Sequence, residues 1–332
     1  MTDGPDRHDA GNGGPGAQQP GYGPPRAPRP GIVPLRPLAV DDLLGGAFRY
    51  IRFSPAAVLV PALIATLVIG VAQVLVQVNG IAGGAASTDP VEAFSRTLPL
   101  TLIVVVVGYA VYPPTLAILC TLILPAATGR RLTLGQAWAA ARPHLGRVYG
   151  VYLVLVLAGV LMLGVAFGLA FLLGSLGGVG IAVAVLLVIA AYVGWIYVAV
   201  LLLPAVPAAV VEGLGVRAAL ERSRSLVRGS WWRFFGIQLL GGLIVGVAAI
   251  VVMIPIGIVA ALVGLSSASD TVITGTLPAT YFVITGIGIV IVGLFAVAYV
   301  VGISGLLYLD QRIRRERFDL QLASIAQGGP PA

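Results

Sequence analysis

Six long apolar runs constrain this chain more than any other feature of its sequence. They lie at residues 56–78, 98–124, 149–173, 179–203, 234–263 and 280–307, and none contains Asp, Glu, Lys or Arg. Each run exceeds the roughly 20 residues that a helix needs to cross about 30 Å of hydrocarbon. Membrane β-strands are about ten residues long and alternate between apolar and polar positions, so the runs do not fit a β-barrel. They predict an all-α integral membrane protein with six transmembrane helices.

The composition leads to the same class. Apolar residues make up 58% of the chain and charged residues 10%, against about 25% charged residues in an ordinary soluble domain. A water-soluble globule of 332 residues would lack the polar side chains to cover that much apolar surface. The composition therefore argues against a soluble enzyme.

The arginines predict how the chain is oriented. All 20 basic residues are Arg, and 19 of them lie before the first run, after the last, or in the second and fourth connections. The other three connections together hold only Arg96. By the positive-inside rule, the arginine-rich segments and both termini are expected in the cytoplasm of a multi-pass cell-membrane protein. The net charge of +7 is accordingly interpreted as membrane orientation, and no nucleic-acid partner is expected.

The two ends differ in composition from the middle of the chain. Residues 1–35 are rich in Gly and Pro and almost free of aliphatic side chains, which predicts a disordered cytoplasmic tail. The proline-rich stretch 24–30 has the form of a polyproline ligand, although a solvated tail is the favoured interpretation. The prediction is thus a tail at 1–35, a six-helix membrane domain at 36–310 and a cytoplasmic C-terminal tail at 311–332.

The cytoplasmic segments 38–49, 132–142 and 214–224 resemble one another. Small or apolar residues recur in each with the i, i+3, i+4, i+7 spacing of one helix face. These positions are Val40, Leu43, Leu44 and Ala47; Leu134, Ala137, Trp138 and Ala141; and Val216, Ala219, Leu220 and Ser223. The pattern predicts three amphipathic interfacial helices, each preceding a transmembrane hairpin, with the apolar face toward lipid or protein. A chance match of three amphipathic patterns is the alternative. Thr133 and Gln136 have the spacing of a capping box.

Two stretches of the sequence resemble a known family. They are the segment 36–50, with Arg36-Pro37-Leu38, and the segment 212–233, which reads EGLGVRAALERSRSLVRGSWWR. Together they are similar to actinobacterial membrane proteins related to the membrane domain of glycerophosphoryl diester phosphodiesterases. Gly45 stands where that family commonly has an acid. The resemblance implies a membrane module. It does not bring the hydrolase activity, because a catalytic barrel needs about 250 residues and the residues after the last run are too few.

Few residues suit catalysis. Catalysis needs titratable groups gathered in a cleft, yet the chain has one cysteine, Cys120, and two histidines, His8 and His144. Asp41 and Asp42 open an amphipathic helix on its polar face, where acids suit the positive helix end. We therefore expect a non-enzymatic protein with no catalytic residue, no cofactor and no metal site.

Glu212 lies near the cytoplasmic end of the fourth run. Two arginines of the same connection, Arg217 and Arg233, are close enough in sequence to neutralise it. We expect a structural ion pair with one of these arginines rather than a catalytic role.

Binding at the inner leaflet is the function that the sequence favours. Arginines near a membrane attract anionic headgroups, and tryptophans anchor a protein at interfacial depth. The candidate lipid-contact residues are Arg224, Arg228, Trp231, Trp232 and Arg233. They predict an accessory or scaffold module for lipid or envelope processes, with membrane lipids, anionic ones included, and a partner protein or a second copy of the chain as candidate partners.

A permease-like facilitator for a small or lipid-like solute is the alternative. Its candidate polar residues within the membrane are Gln73, Gln77, Tyr109 and Gln238. A continuous cavity lined by these four side chains would favour transport, whereas a filled bundle would favour a scaffold.

Overall fold

The computed structural model describes residues 31–34, 36–82, 90–174, 176–266, 279–318 and 321–322. These residues form α-helices with short connections, and no strand occurs among them. The helices are α1 (Val40–Phe53), α2 (Pro55–Ala82), α3 (Pro90–Ala127), α4 (Leu134–Ala141), α5 (Leu145–Gly174), α6 (Gly178–Leu202), α7 (Ala205–Val211), α8 (Val216–Val227), α9 (Trp231–Ser266) and α10 (Ala279–Glu316). A 3₁₀ turn at Arg142–His144 joins α4 to α5.

Six helical segments are long and apolar enough to cross a membrane, which confirms the all-α class and the number of apolar helices. They are Pro55–Val78, Leu98–Ala127, Leu134–Gly174, Gly178–Val211, Trp231–Ser266 and Ala279–Glu316. The end of α10 differs from its predicted limit. This helix continues beyond residue 310, because Gln311 and Ile313 are still buried against the rest of the protein.

The short helices α1, α4 and α8 each precede a pair of long helices. In every copy, the second and fourth of the four repeated apolar positions have no exposed surface. These residues are Leu43 and Ala47, Ala137 and Ala141, and Ala219 and Ser223. Because these positions lie one helical turn apart, they form one continuous inner face, and that face packs against protein. The depth of the three helices relative to a membrane stays a prediction.

The three units of short helix and hairpin pack in a ring. Helix α4 packs against α3 of the preceding unit, and α8 packs against α5, α6 and α7 of the preceding unit. Helix α1 packs mainly against α10, which belongs to the third unit. The long helices follow the same order, since α5 contacts α3, α9 contacts α6, and α2 contacts α10. Each unit therefore packs against the one before it, and the first unit packs against the third.

A left-handed residue follows the last helix of each unit. Gly129 after α3 has φ 82°, Gly213 after α7 has φ 64°, and Arg317 after α10 has φ 53°. Residues in this conformation commonly end helices, because the turn satisfies the last free carbonyl groups. Glycine adopts it without a steric penalty. Arg317 is the non-glycine example in the described part of the chain, so a residue with positive φ follows the last helix of all three units.

Small residues form the seam between α2 and α10. A Cβ atom on Gly70 would lie 2.7 Å from Val290, and one on Gly293 would lie 3.0 Å from Thr66. The small residues therefore allow the two helices to approach closely. Four other glycines form two pairs spaced four residues apart, but a Cβ on any of them would meet open space. They are Gly164, Gly168, Gly242 and Gly246.

The start of α1 corrects the expected position of one acid. Asp42 was expected on the polar face, but it is only 3% exposed. Its Oδ2 accepts hydrogen bonds from the Ala39 N–H at 3.4 Å and from Arg36 at 3.2 Å. The carboxylate turns back to cap its own helix, which removes it from solvent. The capping box of Thr133 and Gln136 at α4 is confirmed.

The chain ends lie partly within the packed structure. The expected disordered segment falls mostly outside the described residues, as do the polyproline-like stretch and residues 323–332. Ile32 and Val33 belong to that segment but are buried, and the Ile32 N–H donates to the carbonyl of Ala126 at 3.1 Å. After α10, Phe318 and Leu322 are also buried. Aliphatic and aromatic side chains at both ends therefore extend the packed part of the chain.

Candidate functional site

Charged side chains from three helices meet at one end of the bundle. Helix α8 is amphipathic, and α9 and α10 pack along each other. The arginine at the start of α9 therefore lies beside the charged residues at the end of α10. Two ionic clusters and one basic groove result.

The first cluster surrounds Asp310, whose side chain has no exposed surface. Its Oδ2 accepts a hydrogen bond from Arg233 at 2.9 Å, and its Oδ1 accepts one from Arg314 at 2.9 Å. The N–H of Leu38 also donates to Oδ1 at 2.8 Å. Both arginines donate to the carbonyl of Leu38 at 2.8 Å. The cluster thus fastens the segment before α1 to the third unit.

The second cluster is centred on Glu212. Its carboxylate accepts hydrogen bonds from Arg222 Nε at 3.0 Å and from the Tyr308 hydroxyl at 2.6 Å. Arg222 also binds Glu316, which accepts a further hydrogen bond from Arg312 at 3.0 Å. Burial lowers the pKa of Arg222, but hydrogen bonds to Glu316 and Glu212 outweigh it and raise the pKa above its ordinary value. Arg222 therefore stays charged and links α8 to α10.

The expected partner of Glu212 is wrong, although the expected ion pair exists. Arg217 instead binds Glu221 at 2.9 Å, one turn along the exposed face of α8. Arg233 forms its ion pair with Asp310 instead. Sequence proximity favoured both arginines, whereas Arg222 reaches Glu212 because α8 folds back onto α7.

A basic groove lies between α8 and the end of α10. It has a volume of about 390 Å³ and is lined by Glu221, Arg224, Ser225, Arg228 and Arg315. Arg224 and Arg228 are exposed, and their guanidinium groups have no partner among the described residues. Arg315 donates to the carbonyl of Ser225 at 2.5 Å and to that of Arg228 at 2.6 Å. Three cations thus face one carboxylate, which Arg217 already binds.

An aromatic cluster lies at the start of α9, which follows Arg228 closely in sequence. Trp231 stacks on Phe235 and Tyr197, with ring centroids 5.1 Å and 5.4 Å apart, and its Nε1 donates to the Tyr197 carbonyl. Trp231 thus joins α9 to α6. Trp232 contacts Trp231 edge to face but is 77% exposed. Of the two candidate tryptophans, Trp232 is the one that faces away from the protein.

Comparison with known proteins identifies the family. The domain of unknown function DUF7847 matches residues 38–309. The chain belongs to the DUF7847 family. No curated protein and no solved structure matches it. The matched region begins just before α1 and ends within α10. Nothing in the comparisons links the domain to the glycerophosphodiester phosphodiesterase-related family, so that resemblance stays an expectation.

The polar residues within the helices of the DUF7847 domain make separate contacts. Gln73 is exposed and Gln77 half-buried. Two cavities beside α2, of about 420 and 380 Å³, are lined by aliphatic side chains, alanine and glycine, and a third, of about 390 Å³, also has Thr115, Trp138 and two prolines in its lining. The Tyr109 hydroxyl donates to the Tyr149 carbonyl at 3.2 Å and so joins α3 to α5. Gln238 Oε1 is buried and has no hydrogen-bond partner among the described residues. These contacts do not join the four candidate residues.

The acids of the site are held by arginines. Glu212, Asp310 and Glu316 each form an ion pair. Within the described ranges, no group of three His, Cys, Asp or Glu side chains is placed to hold a metal ion. The arrangement can fix helices in place and can present cations, chiefly Arg224 and Arg228, to an anion.

Sequence reasoning missed Asp310 and Arg315. Asp310 and Arg314 are four residues apart, a spacing that brings side chains together on a helix. The pair was overlooked because the last helix was expected to end near residue 307. A longer helix, indicated by Ile313 among the arginines, would have predicted the pair. No comparable signal in the sequence places Arg315 against α8.

Proposed function

We propose that this DUF7847 protein is a non-enzymatic module of the cell membrane that organises lipids at the inner leaflet, with both termini cytoplasmic. The observation that carries the proposal is the separation of charged side chains from the apolar segments. The ionic clusters and the basic groove lie at one end of the bundle, and the six apolar segments contain no charged residue in their predicted spans.

The surface of the long helices supports a lipid environment. Helices α5, α6 and α9 expose large aliphatic side chains along their length, including Leu161, Leu186 and Val251, which are at least 66% exposed. A soluble monomer rarely exposes so large an apolar surface. Such a surface is suited to the hydrocarbon of a bilayer.

The ion pairs support a role other than catalysis. Each of Glu212 and Asp310 is neutralised by arginine and holds two elements together. A general acid or base needs a free position beside a substrate. The same ion pairs can instead hold the helices together at the cytoplasmic end.

The permease-like alternative has less support. It requires polar side chains around one path through the bundle. Gln73 is exposed, whereas Tyr109 binds the backbone of α5. The three cavities described beside α2 are not lined by any of the four candidate polar residues.

Cysteine labelling in intact cells tests the orientation. Leu176 lies between α5 and α6 and is 72% exposed, and Ala139 lies on the exposed side of α4. We expect an impermeant maleimide to label Leu176→Cys from outside and Ala139→Cys only after permeabilisation. The native Cys120 is buried and gives little background. The opposite labelling pattern would refute the proposed orientation.

Lipid analysis tests the function itself. The purified protein should carry anionic lipid at a higher fraction than the membrane from which it was extracted. Cross-linking before extraction identifies any protein that remains bound. A lipid fraction identical to that of the source membrane would count against the proposal, and capture of one stoichiometric protein without lipid enrichment would replace it with a protein scaffold.

A further inference from the structure

We infer that the basic groove binds one phosphate group, carried by the headgroup of an anionic lipid or by a soluble phosphate ester. This inference rests on the proposed function and names its ligand chemistry. It also changes the predicted site, because Arg315 takes the place of Arg233. Arg233 is bound to Asp310 and Leu38, whereas Arg315 lines the groove.

Two elements of the fold converge on the groove. Arg224 and Arg228 are separated by one turn at the end of α8, so their side chains share a face. Arg315 comes from the end of α10 and is fixed by its hydrogen bonds to the carbonyls of Ser225 and Arg228. A guanidinium group has five N–H donors, so Arg315 keeps donors for a ligand while its position is held.

The charges around the groove favour an anion. Arg224 and Arg228 are like charges at a spacing that is unfavourable when unscreened. The C-terminus of a helix carries a partial negative charge that would repel an anion, but Arg315 covers the carbonyls at that end of α8. Glu221, the acid of the groove, is bound by Arg217. A phosphate among the three guanidinium groups would relieve their repulsion and accept charge-assisted hydrogen bonds.

The position of the groove favours a lipid as the source of the phosphate. Trp232 is exposed and lies four residues after Arg228, where α9 begins its apolar segment. Exposed tryptophans concentrate at the level of lipid headgroups. The groove therefore lies at the depth of a phosphate headgroup if the apolar helices occupy the bilayer.

A pair of double variants tests the site against general membrane electrostatics. The test variant is Arg224→Gln with Arg228→Gln, and the matched control is Arg52→Gln with Arg142→Gln. The control removes two exposed arginines from α1 and from the turn after α4. A hydrogen bond from an exposed arginine to a bound phosphate contributes roughly a fivefold change in affinity, and the two control arginines lie outside the groove. We expect about 25-fold weaker binding of phosphatidylglycerol to the test variant and less than twofold change in the control, measured by native mass spectrometry titration of the full chain.

Two further measurements separate the sources of the phosphate and the role of Arg315. Glycerol 1-phosphate is titrated as the soluble probe, and Arg315→Lys is compared with Arg315→Gln. Phosphatidylglycerol binding that depends on the groove arginines and resists millimolar glycerol 1-phosphate supports a lipid ligand. Groove-dependent binding of glycerol 1-phosphate alone supports the phosphate site and counts against the lipid function. Because Lys keeps the charge, Arg315→Lys should retain more affinity than Arg315→Gln.

The outcomes distinguish this site from the proposed function. Equal loss of phosphatidylglycerol in both double variants would overturn the site, since the arginines would then act only through their summed charge. Anionic lipid enrichment would survive that result, and so would the function. Binding of neither probe to the unaltered protein would overturn the site as well.

Discussion

Replacing Asp310 with Asn tests whether a buried charge fastens α1 to the third unit. The amide keeps the size of the carboxylate and one acceptor oxygen, but it removes the negative charge between Arg233 and Arg314. Those two guanidinium groups would then face each other and an N–H₂ donor. The N–H of Leu38 would keep a neutral acceptor in place of a charged one.

The size of the effect follows from the burial of the three side chains. Removing one member of a buried ion pair typically costs about 3–5 kcal/mol, because the remaining charge is left without compensation. Asp310 is 0% exposed, but the side chains of Arg233 and Arg314 are 30% and 37% exposed. Since water can solvate part of the released charge, we expect the lower end of that range, about 3 kcal/mol.

Unfolding in detergent measures this cost, with an exposed ion pair as the control. Glu221→Gln removes the same charge from a pair whose side chains are 93% and 63% exposed, where about 0.5 kcal/mol is expected. Hydrogen exchange gives a local reading, because loss of the fastening should expose the amides of α1 before those of α5. The reasoning fails if Asp310→Asn and Glu221→Gln have the same free energy of unfolding and α1 exchanges as in the unaltered protein.

Three smaller predictions concern packing and single hydrogen bonds. Gly305→Ala should lower the free energy of unfolding by about 1–3 kcal/mol, because its Cβ would overlap an isoleucine of α3. Gly242 has open space around it, so Gly242→Ala should raise the free energy of unfolding by up to about 1 kcal/mol. Tyr308→Phe removes the hydrogen bond to Glu212 and should cost about 2 kcal/mol, seen as a lower midpoint in thermal unfolding. Ser223→Ala should lower the free energy of unfolding by only about 1 kcal/mol and leave the fold intact, because the other two copies have alanine at that position. Loss of folded protein on size exclusion would contradict this.

The helices of the fold are predictable because each depends on local sequence. Uniform apolar runs identify the long helices whatever their neighbours are, since hydrocarbon or protein suits them equally. The four-residue apolar spacing likewise identifies Leu43 and Ala47 as one face of α1. The buried position of Asp42 was not predictable from that spacing, because its carboxylate is withdrawn from the polar face by hydrogen bonds to Ala39 and Arg36.

The candidate site is less predictable because its partners are far apart in sequence. Leu38 and Asp310 are separated by 272 residues, and Arg233 and Asp310 by 77. Any of the 19 arginines assigned to one side was a candidate partner for any acid there. The choice among them is made by the packing of α8 and α10, which no local pattern encodes. Arg224 and Arg228 are predicted as lipid-contact residues from the sequence, whereas the contribution of Arg315 to the groove is found only from the structure.

The ring of three units explains what the Asp310 cluster is for. Gly129 leads directly into α4 and Gly213 into α8, so two of the three junctions are made by continuous chain. The third junction, between α10 and α1, has no continuous connection, yet α1 packs there as α4 and α8 pack on their units. Leu38, which aligns with the residues that open the other two copies, is held at this junction by hydrogen bonds to Asp310.

The corresponding positions in the other units support this explanation. Asp310 lies seven residues before Arg317. The residues seven before Gly129 and Gly213, which follow the last helices of the other two units, are Leu122 and Val206. Both are buried and apolar, as expected where continuous chain already joins the units. A buried acid is costly unless it is paired, and Asp310 lies at the junction where arginines and the backbone of Leu38 bind it. The ionic cluster therefore joins α1 to the third unit at the junction where continuous chain does not.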